Sequence, residues 1–301
     1  MIMAEVGVVI LNYNTYDDTV KCVESVRGYT HDVEYQIYLV DNCSPDGSGK
    51  RLSSLYEGDD RVKVICLYEN GGFSAGNNAG MREAVKDGSR YLFLLNSDVY
   101  LKNDALGIMS ARLKSDSGIA SVGPAVYDRK GAYIQFARKA LTFGTHLLER
   151  LPFLSDRIVR RYVYDPANAF VFDGMSSGCC FGLNALYFSE LDDSIFMYYE
   201  EDILAHKLRK LQKKACILPE AEVVHNEGVS TKESVVGKAS FEKMYRWTSA
   251  MYVLKKYAGA GKFRMVFLRW VNILEWKMLS VFKKEYRDRE KQFLALVEKY
   301  S

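Results

Sequence analysis

The sequence Tyr-Leu-Phe-Leu-Leu-Asn-Ser-Asp at residues 91–98 changes abruptly from five apolar residues to three polar ones. A short apolar run bounded by polar residues is typical of a strand buried on both faces, as in the middle of a parallel sheet. Because open α/β sheets bind ligands at the carboxyl ends of their strands, we expect Asn96, Ser97 and Asp98 at a binding edge. A carboxylate beside short polar groups suits a hard cation that bridges to phosphate oxygens. A turn followed by a helix cap is the alternative interpretation.

Strand and helix patterns alternate on both sides of this stretch. Apolar runs that stop at polar residues indicate strands at 6–11, 35–40, 62–68 and 119–126, and a helix pattern occupies 75–86. This alternation predicts an α/β protein with a doubly wound, Rossmann-like sheet that is mostly parallel and flanked by helices.

The composition fits an ordered globular protein with a large core, because 48% of the 301 residues are hydrophobic and only five are proline. The six cysteines form no CxxC pair, and the first residues lack the pattern of a signal peptide. The sequence contains no run of 18 apolar residues, so we predict no membrane-spanning helix. We therefore expect a cytoplasmic location.

Two other strand ends carry residues that suit a nucleotide. Asp41 ends the second predicted strand, where a carboxylate often holds a base or ribose, although it could also cap its own loop. The segment Asn-Gly-Gly-Phe-Ser-Ala-Gly-Asn-Asn at 70–78 permits close backbone approach and leads into a helix whose first amides can bind a phosphate. It is not the GxGxxG fingerprint, and an ordinary glycine-rich turn would have the same composition.

Acidic residues cluster at the start of a predicted helix. Glu200, Glu201 and Asp202 repel one another, which can raise one pKa and create a general base. The alternative is that solvated carboxylates complement the helix dipole. His225 could ligate a metal through a neutral imidazole nitrogen, although a lone histidine is more often structural.

Seven sequence blocks occur in the order that is seen in family 2 glycosyltransferases, and the chain resembles the rhamnosyltransferase-type branch of that family. The resemblance rests on the order of the blocks over roughly residues 5–230, since no single block would suffice. The blocks lie at 6–14, 39–48, 70–78, 94–98, 178–180, 196–201 and 219–225.

The resemblance implies a GT-A fold, a nucleoside-diphosphate-sugar donor, a divalent cation (Mg²⁺ or Mn²⁺) and inversion at the sugar carbon. It implies that donor-binding residues lie at the strand ends and in the glycine turn: Asn12, Asp41, Gly72, Asn77, Asn96, Ser97 and Asp98. Asp98 matches the last acid of a DxD-type metal motif, and His225 falls where some members have a histidine ligand. Glu201 falls at the position of the catalytic base.

The chain departs from the family pattern at two positions. Asn96 replaces the first acid of the metal motif, which leaves Asp98 as the carboxylate for the cation. Glu201 replaces the usual Asp, and Asp202 follows it, so that either residue could act as the base. We favour Glu201, because its spacing to Pro219 and His225 then matches the family without a gap.

We therefore expect an inverting glycosyltransferase that uses dTDP-rhamnose or a UDP-sugar and glycosylates a hydroxyl of a glycan or lipid-linked acceptor in cell-surface polysaccharide synthesis. One alternative is a non-catalytic subunit that binds a nucleotide sugar. A nucleotidyltransferase is a weaker alternative, because the residues after the first strand are neutral and do not form a basic triphosphate-binding loop. No nucleic-acid-binding motif accompanies the basic residues, and we expect no nucleic-acid partner.

We expect two domains, a catalytic domain at 1–230 and a basic helical region at 231–301. Residues 240–301 contain 14 Lys or Arg against 6 Asp or Glu. Apolar residues at helical spacing form a broad face there: Phe263, Val266, Phe267, Trp270, Ile273, Leu274 and Val281. Such a face could lie in a membrane interface at the inner side of the cell membrane, dock on the catalytic domain or form a homodimer. The stretch 128–168 has no clear period and is either an acceptor-side insertion or a mobile loop.

Overall fold

A computed structural model describes residues 4–151, 153–154, 159–226 and 238–301. Its strands are β1 (Val6–Asn12), β2 (Tyr35–Asp41), β3 (Val62–Cys66), β4 (Tyr91–Asn96), β5 (Val99–Leu101), β6 (Ile119–Tyr127), β7 (Ala137–Lys139), β8 (Phe170–Phe172), β9 (Gly174–Ser176), β10 (Cys180–Asn184) and β11 (Lys214–His225). The helices are α1 (Tyr16–Tyr29), α2 (Ser48–Leu55), α3 (Phe73–Lys86), α4 (Ala105–Ser115), α5 (Phe143–Leu148), α6 (Glu200–Lys210), α7 (Lys238–Lys256), α8 (Lys262–Phe282), α9 (Lys284–Asp288) and α10 (Glu290–Tyr300).

A mixed sheet forms the centre of the molecule, with the strand order β3-β2-β1-β4-β10-β6-β11-β5 and β8 paired to β11. Strands β3, β2, β1 and β4 are mutually parallel, whereas β10 runs antiparallel to both β4 and β6. Strands β7 and β9 form a separate antiparallel pair. The predicted α/β fold, with a mostly parallel sheet flanked by helices, is confirmed.

Both faces of the central strands are covered, which explains their continuous apolar sequences. Alternate residues of β1 enter two different hydrophobic clusters, one on each side of the sheet. Helix α3 lies close to the sheet because two glycines face it. A Cβ on Gly76 would lie 2.6 Å from the Leu11 side chain, and a Cβ on Gly80 would lie 2.6 Å from Val9. Because the same glycines also approach Asn42 and Val40, this close packing fixes the start of α3 against the carboxyl ends of β1 and β2.

A third hydrophobic cluster joins the C-terminal helices to the rest of the chain. It combines Leu141, Ile195 and Ile203 with buried residues of α7, α8 and α10. Trp276 of α8 is fully buried and stacks on Phe293 of α10 with ring centroids 4.1 Å apart. The predicted boundary between residues 230 and 231 lies outside the described residues.

Several element boundaries differ from those predicted. Strand β3 ends at Cys66 rather than at residue 68, and α3 begins at Phe73 rather than at residue 75. Strand β11 includes Pro219 and continues to His225 through an irregularity between Leu218 and Glu222. The unpatterned stretch 128–168 contains both β7 and α5.

Among the described residues, no helix is long and apolar enough to cross a membrane.

Candidate active site

Polar residues of three parallel strands meet at one edge of the sheet. Asn12 of β1 is in register with Asp41 of β2, and Leu11 is in register with Asn96 of β4. This is the edge at which open α/β sheets bind ligands.

The side chains of Asn12 and Asp41 form a buried hydrogen-bond network. Asn12 Nδ2 donates to Asp41 Oδ1 (2.6 Å) and to Ser48 Oγ (2.9 Å), and its Oδ1 accepts from Thr19 Oγ1 (2.8 Å). Asp41 Oδ2 accepts from the Ser44 amide (3.0 Å). Asn12 is fully buried and Asp41 is 4% exposed, so both residues support the loop after β2 from the protein interior.

This network continues to the end of β4. Thr15 Oγ1 donates to Asn12 Oδ1 (3.0 Å) and lies 2.8 Å from Ser97 Oγ. Ser97 is 2% exposed, and Asn96 is half-buried. The stretch that opened the sequence analysis is therefore tied to β1 and β2 through hydrogen bonds between side chains.

The glycine turn holds α3 against the segment that precedes α6. Gly72 has a φ of +90°, and a Cβ at this position would lie 2.0 Å from the carbonyl oxygen of Phe196, so no other residue fits. Asn70 Oδ1 accepts from the Gly72 amide (3.0 Å), and Phe73 N donates to Phe196 O (3.0 Å). Asn77 is buried inside α3, where its Nδ2 donates to Phe73 O (2.9 Å).

A cavity of about 390 Å³ opens beside this turn. Of the predicted donor-binding residues, Gly72, Asn96 and Ser97 line it; Asn12, Asp41, Asn77 and Asp98 do not belong to its described lining. The lining also includes residues that the sequence analysis did not assign to the site: Leu11, Tyr13, Asn42, Asn70, Phe73, Phe196, Met197, Tyr198, Lys238, Phe241 and Glu242.

Asp98 and His225 form a pair at the start of β5 and the end of β11. His225 Nε2 lies 3.3 Å from Asp98 Oδ1. Burial lowers the pKa of His225, but hydrogen bonds to Asp98 and Cys179 outweigh it and raise the pKa to about 10. The backbone holds the pair in place, because Asn226 N donates to Asp98 O (2.9 Å).

The pair fits a divalent cation that shares its coordination with a substrate. Carboxylate oxygen is a preferred ligand of Mg²⁺ and Mn²⁺, which often bind through one or two protein groups together with phosphate oxygens, and the His225 imidazole would join the coordination only with loss of its proton. In the part of the chain that the structure describes, no group of three or more His, Cys, Asp or Glu could hold a metal ion by itself. Asp98 and His225 would therefore hold such an ion only with a ligand that supplies further oxygens.

Of the three acidic residues at the start of α6, Glu200 and Asp202 are the buried ones. Burial, with the nearby charge of Glu201, raises the pKa of Glu200 to about 8. Asp202 is 3% exposed, forms an ion pair with Arg160 and accepts a hydrogen bond from Leu141 N (2.8 Å).

Glu201 is more accessible and lies near the end of β4. Its side chain is 22% exposed, and its Oε2 lies 4.0 Å from Arg138 Nη2. Its Oε1 would lie 2.3 Å from a Cβ on Gly178, so the carboxylate rests directly on this glycine. The next residue, Cys179, accepts a hydrogen bond from Asn96 N (2.9 Å). Glu201 is thereby placed beside the strand end that leads to Asp98.

Glu201 lines a second cavity, of about 430 Å³. Its lining is polar and aromatic: Phe136, Arg138, His146, Glu149, Arg150, Tyr198, Tyr199, Glu200, Asp202, Arg246 and Trp247. Within the described residues, Glu200 Oε1, Asp202 Oδ2 and both ring nitrogens of His146 are buried without a hydrogen-bond partner. Such atoms favour a polar ligand with hydroxyl groups.

Tyr198 belongs to the lining of both cavities and thus marks their junction. Tyr198 and Tyr199 have φ values of +69° and +71°, in the left-handed region that non-glycine residues rarely adopt. This double turn lets the chain pass from the first cavity to the acidic start of α6. The two cavities therefore adjoin at Tyr198, and the first of them also reaches the strand edge.

A family model described as glycosyl transferase family 2 matches residues 7–196, which is more than half of the chain. The chain belongs to glycosyl transferase family 2. The predicted family is therefore confirmed.

One curated relative of this chain is TuaG of Bacillus subtilis, whose name marks it as a candidate glycosyltransferase of teichuronic acid biosynthesis. The two sequences are 33% identical over 101 residues, which cover 34% of this chain and 38% of TuaG. The chain thus spans well under half of the length of this relative. The name does not specify a rhamnosyl donor.

Solved structures of low sequence identity share the fold. GalNAc-T7, solved with UDP, GalNAc and Mn²⁺, has a TM-score of 0.61 at 15% identity, with 84% of this chain and 48% of that chain covered. The mannosyltransferase PcManGT of Pyrobaculum calidifontis, solved with GDP-Man and Mn²⁺, has a TM-score of 0.54 at 12% identity, with 98% and 86% covered. The predicted GT-A fold is confirmed by these matches.

In the second cavity, the residues that sequence reasoning missed come mainly from outside the seven sequence blocks. Arg246 and Trp247 lie on α7, and Arg138 and His146 lie in the unpatterned stretch 128–168. Their only signal in the sequence was the density of Arg, Trp and Tyr in segments without a strand pattern. Which of these residues meet in space depends on long-range packing, which periodicity does not reveal.

Proposed function

We propose that this glycosyltransferase inverts the sugar carbon as it moves a sugar from a nucleoside-diphosphate donor, dTDP-rhamnose or a UDP-sugar, to a hydroxyl of a glycan or lipid-linked acceptor. The proposal is supported chiefly by the junction of the two cavities. One cavity touches the strand end and the glycine turn, and the other contains an accessible carboxylate beside that strand end. A donor and an acceptor placed in them would meet near Tyr198.

The first cavity suits the donor. Asn96, Ser97 and the backbone at Gly72 line it, and the buried network of Asn12 and Asp41 keeps the strand ends in position. We propose that Asn12 and Asp41 position the loop after β2, which would contact the base and ribose of the donor. Asn77 would fix the first turn of α3. Donor-binding groups held by a preformed network lose little conformational freedom on binding.

We propose that Asp98 and His225 hold a divalent cation, Mg²⁺ or Mn²⁺, together with the diphosphate of the donor. When bound, such an ion stabilises the charge that develops on a phosphate leaving group. The two neighbours of known structure that were solved with Mn²⁺ support this assignment. Asn96 cannot supply the carboxylate of a DxD-type motif, so His225 is the second protein ligand in this proposal.

Glu201 is the proposed general base. Its carboxylate is half-buried, faces the second cavity and lies beside the end of β4. Glu200, whose pKa is raised to about 8, holds a proton at neutral pH and is therefore not available as the base. Glu201 would accept the proton of the acceptor hydroxyl as that oxygen attacks the sugar carbon. Asp202 is less suited to this role, because Arg160 already neutralises it.

The second cavity suits a saccharide acceptor. Aromatic rings and hydrogen-bonding groups alternate on its wall, and several buried polar atoms there have no partner among the described residues. The relative TuaG aligns with 34% of this chain, and its name refers to teichuronic acid biosynthesis. This similarity supports a saccharide acceptor.

A screen of nucleotide sugars tests the donor assignment. We expect one class of donor to raise the melting temperature of the protein and to be hydrolysed slowly, and both effects should require Mn²⁺ or Mg²⁺. Asp98→Asn should abolish this metal-dependent activity. A variant that keeps full metal-dependent activity would contradict the assigned cation site.

The variant Glu201→Gln tests the base. We expect its transfer rate to fall by about 10²–10⁴-fold, because a general base typically contributes that factor, while donor binding stays unchanged. The matched control is Glu24→Gln, whose side chain is 56% exposed on α1 and lies outside both cavities. Transfer by Glu201→Gln at the unmodified rate would refute this assignment.

A further inference from the structure

Helix α8 exposes a continuous apolar stripe to solvent. Phe263 is 92% exposed, Trp270 is 66% exposed and Val281 is 68% exposed. Apart from the adjacent pair Val266 and Phe267, the members follow one another at intervals of three or four residues and so lie along one side of the helix. They are Phe263, Val266, Phe267, Trp270, Leu274, Met278 and Val281, and we call them the apolar stripe. The opposite side, with Leu268, Asn272 and Trp276, is buried.

Exposed cations accompany the stripe. Residues 262–284 contain six Lys or Arg and a single acidic residue, Glu275. All six cations are exposed: Lys262, Arg264, Arg269, Lys277, Lys283 and Lys284. Glu275 is half-buried and forms ion pairs with Arg150 and Lys243, so it does not balance their charge at the stripe.

A second copy of this chain is a poor occupant for such a surface. A two-fold interface places the same patch on both subunits, so six cations would face six others across it. A bilayer with anionic headgroups accommodates both the apolar stripe and the cations, because apolar side chains enter the acyl boundary while Lys and Arg contact the headgroups. Tryptophan is well suited to that depth.

We propose that α8 docks this protein on the surface of an anionic lipid bilayer through the apolar stripe. The helix would lie in the interface, since no described helix can cross a membrane. This inference goes beyond the proposed function and does not depend on it, because it rests on the exposed side of α8 alone.

The buried side of the same helix contacts the wall of the second cavity. Arg150, which lines that cavity, donates to Asn272 Oδ1 (2.5 Å) and to Glu275 Oε2 (2.6 Å) of α8. One helix therefore separates the cavity from the proposed bilayer surface.

Vesicle flotation of the full chain tests the proposal. We expect binding to vesicles that contain phosphatidylglycerol, weaker binding to vesicles of phosphatidylcholine alone, and a decrease with added salt. The double variant Phe267→Glu/Trp270→Glu should bind at least about a hundredfold more weakly, because each of the two lost apolar side chains contributes about a factor of ten when it is buried. Since both residues are exposed, the variant should unfold at the same temperature as the parent protein.

The control places the same two charges elsewhere. Val163 and Leu186 are 96% and 81% exposed, and Val163→Glu/Leu186→Glu should bind vesicles like the parent protein. Fluorescence gives an independent measure, because Trp270 is the exposed tryptophan, whereas Trp247 and Trp276 are buried. We expect a blue shift on vesicle binding that Trp270→Glu removes.

Three results would overturn the proposal. The first is a parent protein that fails to float with anionic vesicles. The second is equal binding by Phe267→Glu/Trp270→Glu and the parent protein. The third is a parent dimer in solution that this double variant converts to a monomer, with no vesicle binding by either, which would assign the stripe to a second copy.

Discussion

Asp202 and Glu201 are adjacent in sequence but differ in their surroundings. Asp202 is ion-paired with Arg160, which is 1% exposed and also contacts Glu149. Glu201 retains access to the second cavity. Two neighbouring carboxylates on one helical turn can therefore have separate tasks, one in folding and one in the reaction.

We expect Asp202→Asn to lower the free energy of unfolding by about 3 kcal/mol, because it leaves a buried arginine with a single carboxylate partner. Urea denaturation checks this value. Glu201→Gln should unfold like the parent protein, since its side chain is partly exposed. If Asp202→Asn were as stable as the parent protein and inactive in transfer, Asp202 would be the base.

Glu200 makes stability depend on pH. Burial, with the charge of Glu201, raises its pKa from 4.5 to about 8. Between these values the folded state binds a proton that the unfolded chain releases, so stability should fall as pH rises through this window. Glu200→Gln should unfold at a higher temperature than the parent protein at pH 9 and should show less of this decline. Parallel curves for both proteins from pH 5 to pH 9 would contradict the assignment.

At the scale of elements, the site is assembled where β4, β10 and α6 approach one another. Gly178 lies between Glu201 and the end of β4, and the absence of a side chain there allows the contact. A Cβ at this position would displace the carboxylate oxygen, because the two would be 2.3 Å apart.

Gly178→Ala should therefore reduce the transfer rate by about 10²-fold, since a displacement of about 1 Å can have that effect, and leave the KM for the donor unchanged. Steady-state kinetics with varied donor would measure both parameters. The matched control is Gly28→Ala in α1, where an added Cβ meets nothing within 4 Å. Equal activity of Gly178→Ala and Gly28→Ala would show that Glu201 does not need its present position.

The elements that could be predicted from the sequence are those in which neighbouring residues decide the structure. Apolar runs with polar ends located β1, β2 and β4 and the edge that they share. The sequence did not predict the partner of Asp202, because Arg160 lies 42 residues away in a stretch without a period. It also did not predict that α7 lines both cavities, because that depends on packing between distant segments.

At the scale of the whole molecule, the C-terminal helices complete both the core and the site. Leu141, Ile195 and Ile203 pack into a cluster whose other members come from α7, α8, α9 and α10. Arg246 and Trp247 of α7 line the second cavity. The expected division into a catalytic domain and a helical appendage stays a prediction, but these contacts make the two regions interdependent.

A chain that ends at residue 237 should therefore not fold stably. Its loss of α7 to α10 would expose the apolar residues of the shared cluster, and each large side chain transferred to water costs about 1.5–3 kcal/mol. Size-exclusion chromatography and thermal unfolding would reveal aggregation or the absence of a cooperative transition. A monodisperse fragment with a sharp transition would show that the catalytic region is independent.

The two successive left-handed residues at the cavity junction have a consequence for evolution. Each non-glycine residue in this conformation costs roughly 1–3 kcal/mol, which the surrounding packing must offset. Glycine would relieve that cost at Tyr198 and Tyr199, but it would remove the phenol rings from the walls of both cavities. Selection for heat resistance and selection for turnover would therefore act in opposite directions at these two positions.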